Sequence, residues 1–397
     1  MENHTKREGG MDAVLARELQ SLETLGLRRQ LRRIDRRAGM EIQVDGRAAI
    51  DFASNDYLGL ATDPRLRAAL SGDDAESAGA TASRNLSGNY RTHEEVERLI
   101  AQHKGCQAAL LMNCGYSANV GVLPALAGPD DVIYSDQLNH ASIIDGCRLA
   151  RATVRVFPHA DLSALEQLLQ SDGARFRRRL IVVESVYSMD GDLFPLAELT
   201  ALAETHDAWI YLDDAHGGGV LGVGGAGAAV QAQQNERIHV VLGTLGKAYG
   251  LAGSFLAGST VLRDFLVNRC RSFVFSTGLP PAWCAAVRTA IELAASEQWR
   301  RHRLFTHAAR LQQGLSAQGY TLPANLAGHI VPIVLGSAAA VVRAGHRLLE
   351  QGLLVAAVRP PTVPEGTARL RISLSAAHTE AHIDRLVHAL ATMRQDT

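Results

Sequence analysis

The fold is decided by the stretch Leu180–Gly217, which reads LIVVESVYSMDGDLFPLAELTALAETHDAWIYLDDAHG. It begins with the apolar run Leu180–Glu184 and ends with a second apolar run, Trp209–Asp213. Between them, Pro195–His206 is long enough to form a crossover helix. A strand, a helix and a second strand in this order are typical of parallel sheets. The stretch therefore predicts a doubly wound α/β fold.

The same rhythm continues on both sides of this stretch. Leu162–Gln170 predicts another crossover helix, and five further apolar runs predict strands at Ala108–Met112, Val132–Ser135, Thr153–Phe157, Val240–Gly243 and Gly253–Ala257. The last two runs are joined by a loop too short for a helix, so we expect them to form an antiparallel pair at the edge of a mostly parallel sheet.

The two ends of the chain depart from this pattern. Asp12 to Gly39 predicts a helix on which arginines recur every four residues, with one stripe of Arg28, Arg32 and Arg36 and another of Arg29, Arg33 and Arg37. After a long helix that follows Pro281, two further helices, around Ala338–Gln351 and from Glu380, accompany strand-like runs at Ile330–Leu335, Leu353–Val358 and Ala368–Ser373. We expect an N-terminal helical arm over residues 1–50, a large domain over 51–283 and a small C-terminal α+β domain over 284–397.

The composition of the chain argues against several classes of protein. The 397 residues carry 40 Lys and Arg against 41 Asp and Glu, and this even balance argues against nucleic-acid binding. Five cysteines without a C-x-x-C pair favour a reducing cytoplasm over a disulfide framework or a cysteine zinc site. No apolar stretch is long enough for a membrane span. Met1 to Gly10 is polar, so it is a frayed leader or a cloning remnant rather than a secretory signal.

Side chains with useful chemistry follow the predicted strands, at the edge where open α/β sheets bind ligands. Asp213 and Asp214 end one buried strand, and a buried acid is costly unless a partner uses its charge. Lys247 follows another strand, where burial would make its amine nucleophilic. The other strand ends supply a helix start at Gly115 with Tyr116 beside it, an imidazole at His140, and hydroxyls at Ser188 and Thr244.

This combination matches the needs of pyridoxal 5′-phosphate. The cofactor requires a lysine for its aldehyde, an acid for its ring nitrogen, a stacking partner, and phosphate donors such as a helix start. Asp213, Asp214 and His216 are also metal-ligand types, but further ligands are not obvious nearby, so we expect no metal site. Gly222–Gly227 fits G-x-G-x-x-G by its letters, yet it neither follows its strand directly nor opens an amphipathic helix. A nicotinamide-dependent dehydrogenase is therefore the weaker alternative.

Six segments, in the same order and spread over nearly the whole chain, resemble the α-oxoamine synthases, which are pyridoxal-phosphate enzymes of fold type I. They are Ser54–Leu60 (SNDYLGL), Leu138–Gly146 (LNHASIIDG), Val186–Asp192 (VYSMDGD), Leu212–Gly217 (LDDAHG), Thr244–Lys247 (TLGK) and Arg359–Arg371 (RPPTVPEGTARLR). The resemblance implies a homodimer whose active sites are shared between subunits.

Within this family, Arg359–Arg371 is most similar to the branch that joins L-alanine to a pimeloyl thioester with loss of CO2 in biotin synthesis. Ala82–Gly88 (ASRNLSG) is more similar to the other branches. An acyltransferase that uses glycine, or another pair of amino acid and acyl-CoA, is therefore the alternative within the family. A scaffold that keeps the fold without catalysis is a further alternative.

The resemblance also implies roles around the cofactor. Lys247 would bind it covalently and then remove the Cα proton of the substrate, while Asp213 would pair with the pyridinium nitrogen. His140 would stack on the ring and polarise the thioester carbonyl. His216 would bond the phenolic oxygen, and Thr277 would reach the phosphate bound by the partner subunit. The remaining cofactor contacts would come from Gly115, Tyr116, Ser188 and Thr244.

A second group of residues would contact the substrates. Asn55 and Arg371 would face the amino acid, with Arg371 binding its carboxylate. Arg359 and Thr362 belong to a proline-stiffened segment that could supply partners for the distal carboxylate of the pimeloyl chain. Arg28 matches the family's substrate-contacting arginine, and Arg29 takes this place if the alignment shifts by one residue.

Overall fold

The computed structural model describes residues 10–72 and 77–395. The polar leader predicted at the start of the chain lies outside the described residues, apart from Gly10. The strands are β1 (Ile34–Ala38), β2 (Glu41–Val44), β3 (Arg47–Asp51), β4 (Ala108–Met112), β5 (Val132–Asp136), β6 (Thr153–Phe157), β7 (Arg179–Glu184), β8 (Trp209–Asp213), β9 (Val240–Thr244), β10 (Ser254–Gly258), β11 (Ile330–Gly336), β12 (Leu353–Leu354), β13 (Ala356–Val358) and β14 (Ala368–Ser373).

Helices cover the faces of the sheets and form most of the connections. They are α1 (Met11–Thr24), α2 (Pro64–Leu70), α3 (Arg91–Lys104), α4 (Gly115–Leu126), α5 (Ala141–Ala150), α6 (Leu162–Asp172), α7 (Leu196–Thr205), α8 (Ala228–Gln231), α9 (Thr260–Arg269), α10 (Arg271–Val274), α11 (Pro281–Ser296), α12 (Gln298–Ala317), α13 (Ala338–Glu350) and α14 (Glu380–Gln395). None of the helices in the described ranges is long and apolar enough to cross a membrane.

The central sheet has seven strands in the order β4-β10-β9-β8-β7-β5-β6. It contains all seven strands predicted from the apolar runs, each within one residue at either end. Six strands run in the same direction, and β10 alone in this sheet is antiparallel to both of its neighbours, β4 and β9. The predicted antiparallel pairing of β9 with β10 is therefore confirmed. Its predicted place at the edge is wrong, because β4 pairs with the other side of β10 over five residues.

The helix predicted over Asp12–Gly39 is wrong beyond Thr24. The backbone at Gly26 has φ 67°, a left-handed conformation that glycine adopts without strain and that ends helices. Residues from Ile34 onward then form β1, which pairs with β2 in an antiparallel hairpin. The arginine stripes consequently do not share a helix face. Arg37, for example, lies on β1 and donates to Asp51 Oδ2 at 2.6 Å.

The predicted strand Leu353–Val358 is divided between two sheets. Its first part, β12, pairs in parallel with β3 and completes the sheet β1-β2-β3-β12. Its second part, β13, pairs with β14 in the three-stranded sheet β11-β14-β13. One sheet thus joins the N-terminal region to the C-terminal part of the chain. The division into residues 1–50, 51–283 and 284–397 stays a prediction.

The register of the central sheet brings several strand ends together. Glu184 of β7 pairs with Asp213 of β8, and Asp213 pairs with Leu242 of β9, two residues before Thr244. Both carboxylates are buried. The carboxyl ends of β7, β8 and β9 therefore lie side by side, and the candidate site is at this edge.

Candidate active site

Lys247 lies three residues beyond the end of β9, on a loop that returns to β10. Its Nζ is 2.9 Å from His216 Nε2. Burial, with a contribution from the nearby guanidinium of Arg371, lowers the pKa of the amine to about 8, although the charges of Asp213 and Glu184 oppose this. Near neutral pH the side chain can therefore act both as a cation and as a nucleophilic amine.

His216 continues a chain of hydrogen bonds away from Lys247. Its Nδ1 is 2.6 Å from the hydroxyl of Tyr57, which donates to Asn55 Oδ1 at 3.1 Å. Complete burial lowers the pKa of His216 well below its usual range, so the ring is neutral and carries one N–H. With the proton on Nδ1 it donates to Tyr57, which leaves Nε2 to accept from the ammonium of Lys247.

Asp213 is fixed by donors from two elements. Its Oδ2 accepts from Asn119 Nδ2 at 2.9 Å, and its Oδ1 accepts from the backbone N–H of Ala215 at 3.1 Å. Asn119 is in turn held by Tyr211, whose hydroxyl donates to its Oδ1 at 2.6 Å. A carboxylate has about four acceptor positions, so Asp213 can accept another N–H.

Asp214 points into the protein interior and is occupied there. Its Oδ2 lies 3.1 Å from the ammonium of Lys104, and its Oδ1 accepts from the hydroxyl of Ser185 at 2.8 Å. Both members of the ion pair are buried. Adjacent residues at a strand end face opposite sides. The acidic pair is thus divided between a carboxylate with acceptor positions left and one that is committed to a buried ion pair.

His140 stands at the start of α5 with its ring exposed. Its Nδ1 is 2.7 Å from the hydroxyl of Ser142, which also accepts from Asn119, the partner of Asp213. The backbone N–H of His140 donates to Glu184 Oε1 at 2.6 Å. His140 and Asp213 therefore belong to one hydrogen-bonded network, and His140 is exposed at the edge of the sheet where a ligand is expected.

Glu184 is the main site residue that sequence reasoning missed. It is buried, and burial together with the charge of Asp213 raises its pKa well above the usual value for a carboxyl group. In the sequence it is simply the last residue of an apolar run. The one sequence signal that could have identified it is that an acidic residue ends this strand, just as Asp213 ends the next one.

The start of α4 lies against the end of β9. A Cβ atom on Gly115 would be 2.9 Å from Thr244 Cγ2, so the close approach requires glycine. Tyr116 is 49% exposed and its hydroxyl donates to Asp145 Oδ2. Thr277 is also exposed, and its carbonyl accepts from Asn113 at 3.0 Å, directly before the helix. These four predicted cofactor contacts surround one helix start.

Arg371 of β14 brings the small sheet to the same cleft. It is buried and donates to the carbonyl of Ser188, to Asn55 Oδ1 at 3.1 Å and to Ser373 Oγ at 2.6 Å. Within residues 10–72 and 77–395, no carboxylate forms a salt bridge with its guanidinium. A buried cation without a carboxylate partner is suited to bind an anionic substrate group.

The remaining predicted substrate contacts meet where the chain leaves α1. Arg29 Nη2 donates to Thr362 Oγ1 at 3.0 Å, and Arg359 Nη2 donates to the carbonyl of Arg28 at 2.7 Å. The guanidinium of Arg28 itself pairs with Glu23. The structure therefore brings the side chain of Arg29, rather than that of Arg28, to Thr362.

The three side chains of metal-ligand type considered from the sequence, Asp213, Asp214 and His216, do not converge on one point. Asp213 and Asp214 lie on opposite sides of the strand end, and the ring of His216 is committed to Tyr57 and Lys247. In the part of the chain that the structure describes, no group of three or more His, Cys, Asp or Glu side chains is arranged to hold a metal ion.

Comparisons with known proteins agree with this geometry. The pattern of the class I and II aminotransferase family matches residues 47–390. The 8-amino-7-oxononanoate synthase of Anaeromyxobacter dehalogenans is 47% identical over 391 residues, which cover 98% of this chain and 97% of that protein. That of Geobacter sulfurreducens is 44% identical over 390 residues, covering 97% and 99%.

A solved structure shares the fold over nearly the whole length. Serine palmitoyltransferase from S. paucimobilis, determined with a bound PLP–myriocin aldimine, is 30% identical, with a TM-score of 0.90 over 96% of this chain and 97% of that chain. The expected fold type is thereby confirmed. The chain belongs to the class I and II aminotransferase family and, within it, to the group of the 8-amino-7-oxononanoate synthases.

Proposed function

We propose that the chain condenses L-alanine with a pimeloyl thioester, using pyridoxal 5′-phosphate, and releases CO2, free thiol and 8-amino-7-oxononanoate. The observation that carries the proposal is Lys247, whose pKa is lowered, at the same strand edge as Asp213, which can accept a further hydrogen bond. The chain is also 47% identical to an 8-amino-7-oxononanoate synthase. The thioester is carried by CoA or by a carrier protein. The reaction is a step of biotin synthesis.

The residues at the sheet edge fit this cofactor. Asp213 has acceptor positions left for a protonated ring nitrogen, and His140 presents an exposed ring. The first residues of α4, Gly115 and Tyr116, would offer their backbone N–H groups to the phosphate, and Ser188 would add a further contact to the cofactor. When bound, the cofactor supplies a carbonyl that holds the amino acid and a ring that accepts electrons from its Cα.

Lys247 is the base in this proposal. As a free amine, its Nζ would take the Cα proton of the amino acid and later return one. A pKa of about 8 suits a base that operates near neutral pH. His216, 2.9 Å away, orients the amine, and Tyr57 keeps His216 in the tautomer that accepts from it.

Arg371 and His140 position the two substrates. Arg371 binds the carboxylate of alanine with the help of Asn55, which already accepts from its guanidinium. His140 polarises the thioester carbonyl as the new carbon–carbon bond forms. The thiolate would leave as this bond forms, and the carboxylate bound by Arg371 would then be lost as CO2. Because both side chains are fixed by the network around Asp213 and Ser188, they require little rearrangement during the reaction.

The homodimer of the family is part of the proposal. Helix α1 contains no buried residue, and apolar side chains on it are exposed, among them Met11, Leu15, Leu19 and Leu22. An unpartnered apolar helix of this kind is typical of an interface. Thr277 is exposed, as its proposed contact with the phosphate bound by the partner subunit requires.

Release of free thiol from pimeloyl-CoA tests the proposal directly. We expect purified protein with the cofactor to release thiol with L-alanine at least ten times faster than with glycine or L-serine. Faster release from glycine with acetyl-CoA would favour the glycine-using alternative instead. Absence of a visible cofactor band in the purified, cofactor-supplied protein would contradict pyridoxal-phosphate chemistry altogether.

The lowered pKa of Lys247 predicts the pH dependence of cofactor attachment. A neutral amine is the nucleophile, so the rate at which apoenzyme takes up pyridoxal phosphate should rise with pH and level off above about pH 8. Stopped-flow absorbance between pH 6.5 and 10 measures this rate. Because the charge of Asp213 raises the pKa, Asp213→Asn should move the midpoint to lower pH. A midpoint near 10.5, the ordinary lysine value, would contradict the assignment.

The contact between Arg29 and Thr362 predicts which residue binds the distal carboxylate of the acyl chain. Pimelate carries a distal carboxylate, and a charge-assisted hydrogen bond contributes about 1.5–3 kcal/mol. Arg29→Met should therefore lower kcat/KM for pimeloyl-CoA by roughly tenfold or more. Heptanoyl-CoA, which has the same length without the carboxylate, should be little affected.

Arg28→Met is the matched control, because the guanidinium of Arg28 pairs with Glu23 and does not reach Thr362. It should change neither donor by more than about twofold. Equal losses for both donors in Arg29→Met would indicate that Arg29 binds CoA phosphate. A larger loss of kcat/KM for pimeloyl-CoA in Arg28→Met would indicate that Arg28, rather than Arg29, binds the distal carboxylate.

A further inference from the structure

His159 is held between two carboxylates. It follows β6, and its Nδ1 lies 3.0 Å from Asp136 Oδ1, while its Nε2 lies 2.8 Å from Asp192 Oδ2. A neutral imidazole carries only one N–H. Its other nitrogen would then point a lone pair at the lone pairs of a carboxylate oxygen, which is repulsive. Both contacts are hydrogen bonds only when the ring is an imidazolium.

The surroundings of the ring favour this charge. Burial alone would lower the pKa of His159, but the hydrogen bonds to Asp136 and Asp192 outweigh it and raise the pKa to about 10. Tyr187 is a further neighbour, whose ring meets the imidazole edge-on at a centroid distance of 4.3 Å. The positive charge of the imidazolium is therefore balanced by the carboxylates of Asp136 and Asp192.

The two carboxylates belong to different segments of the site. Asp136 ends β5 and also accepts from Leu138 N at 2.8 Å, in the turn that leads to His140. Asp192 closes the turn after β7, where its carbonyl accepts from Tyr187 N at 3.1 Å. That turn contains Ser188. The ring of His159 thus bridges the segment of His140 and the segment of Ser188 without contacting either residue.

We infer that His159, as an imidazolium, is a positioning residue that holds these two segments together and thereby sets the affinity of the site for its cofactor. The inference rests on the proposed function, because His140 and Ser188 are the proposed cofactor contacts. His159 itself would not touch the cofactor.

The turn after β7 is held from its other side by the small sheet. Arg369 pairs with Asp190, and Arg371 donates to the carbonyl of Ser188. Loss of His159 would therefore release the turn only from β5. We expect such a variant to fold and to bind the cofactor weakly, rather than to unfold.

The protonation state can be read from ¹⁵N NMR of histidine-labelled protein at pH 8, with His159→Gln identifying the signals. Both nitrogens of His159 should carry a proton at a pH where an ordinary imidazole, with a pKa near 6.5, is mostly neutral. An unprotonated ring nitrogen at pH 8 would overturn the inference. If His159→Gln does not fold, the change of the same signals in Asp192→Asn identifies them.

Cofactor affinity tests the positioning role. Equilibrium dialysis of apoenzyme against pyridoxal phosphate should give a Kd about tenfold higher or more in His159→Gln and in Asp192→Asn, the size expected for a residue that orients direct contacts. The double variant should bind no more weakly than the weaker single variant, because both changes break the same bridge. His302 is exposed to solvent, so the His302→Gln variant is the control and should leave the Kd for pyridoxal phosphate unchanged.

A folded His159→Gln with the wild-type Kd, or additive losses in the double variant, would overturn the inference. If His159→Gln does not fold, the Kd of Asp192→Asn decides alone. Neither measurement uses alanine or a thioester. Wild-type protein that binds the cofactor but releases no thiol would therefore refute the proposed function while the test of His159 still stands.

Discussion

Lys247→Ala should abolish turnover and remove the borohydride-reducible attachment of the cofactor. The amine is the proposed point of covalent attachment and the base that moves the Cα proton. We expect thiol release from pimeloyl-CoA to fall by roughly 10⁴-fold or more, the upper end of what a positioned acid or base contributes. Thiol assays and mass spectrometry of borohydride-reduced protein measure the two effects separately.

The chain offers an internal control for this experiment, because its sequence contains only three lysines, Lys6, Lys104 and Lys247. Lys104 is buried and paired with Asp214, so it cannot reach the cofactor. After reduction and digestion, the adduct should lie on the peptide that contains Lys247. An adduct that persists in Lys247→Ala, on whichever lysine, would refute the assignment.

The central sheet could be predicted because each of its strands carries its own signal. A strand buried on both faces is an apolar run, and its ends are marked by glycine or polar residues. Ala108–Met112 and Trp209–Asp213, for example, match β4 and β8 to the residue. The position of β10 between β9 and β4 could not be predicted, because it depends on a pairing with a strand about 145 residues earlier in the chain.

The N-terminal strands were missed for a related reason. Arginines every four residues fit a helix, but β1 is stabilised by its hairpin with β2, and β3 gains its outer partner only from Leu353–Leu354. A periodic pattern of charged residues says little about packing, because such residues are exposed in helices and strands alike. The left-handed backbone at Gly26 was the local signal that the helix ends.

The site was predictable where one residue carries the chemistry. Lys247 and Asp213 stand out at strand ends because burial there is unfavourable without a function. Glu184, Asn119 and His159 were not identified, since their roles come from neighbours on other strands. Sequence reasoning thus found the groups proposed to touch the cofactor, whereas the structure was needed to find those that hold them in place.

Asp213→Asn and Asp214→Asn should separate catalysis from stability. Asp213 is proposed to keep the ring nitrogen of the cofactor protonated. The Asp213→Asn variant should therefore exchange the alanine Cα hydrogen in D2O roughly 10²–10³-fold more slowly, the range for removing a group that stabilises developing charge. The melting temperature should change little. Exchange followed by proton NMR needs no thioester, so the measurement isolates proton removal from the later steps.

Asp214→Asn should show the opposite pattern, because its carboxylate is the partner of the buried Lys104. Breaking a buried ion pair by removing one charge costs about 3–5 kcal/mol of unfolding free energy. Urea unfolding should reveal this loss, while Cα exchange in the folded protein should fall far less than in Asp213→Asn. Asp214 also accepts from Ser185, so some loss of order at the strand end, and a small loss of exchange, is expected. If Asp214→Asn abolished exchange and Asp213→Asn only lowered stability, the acid facing the cofactor would be Asp214, and the burial of its ion pair would need another explanation.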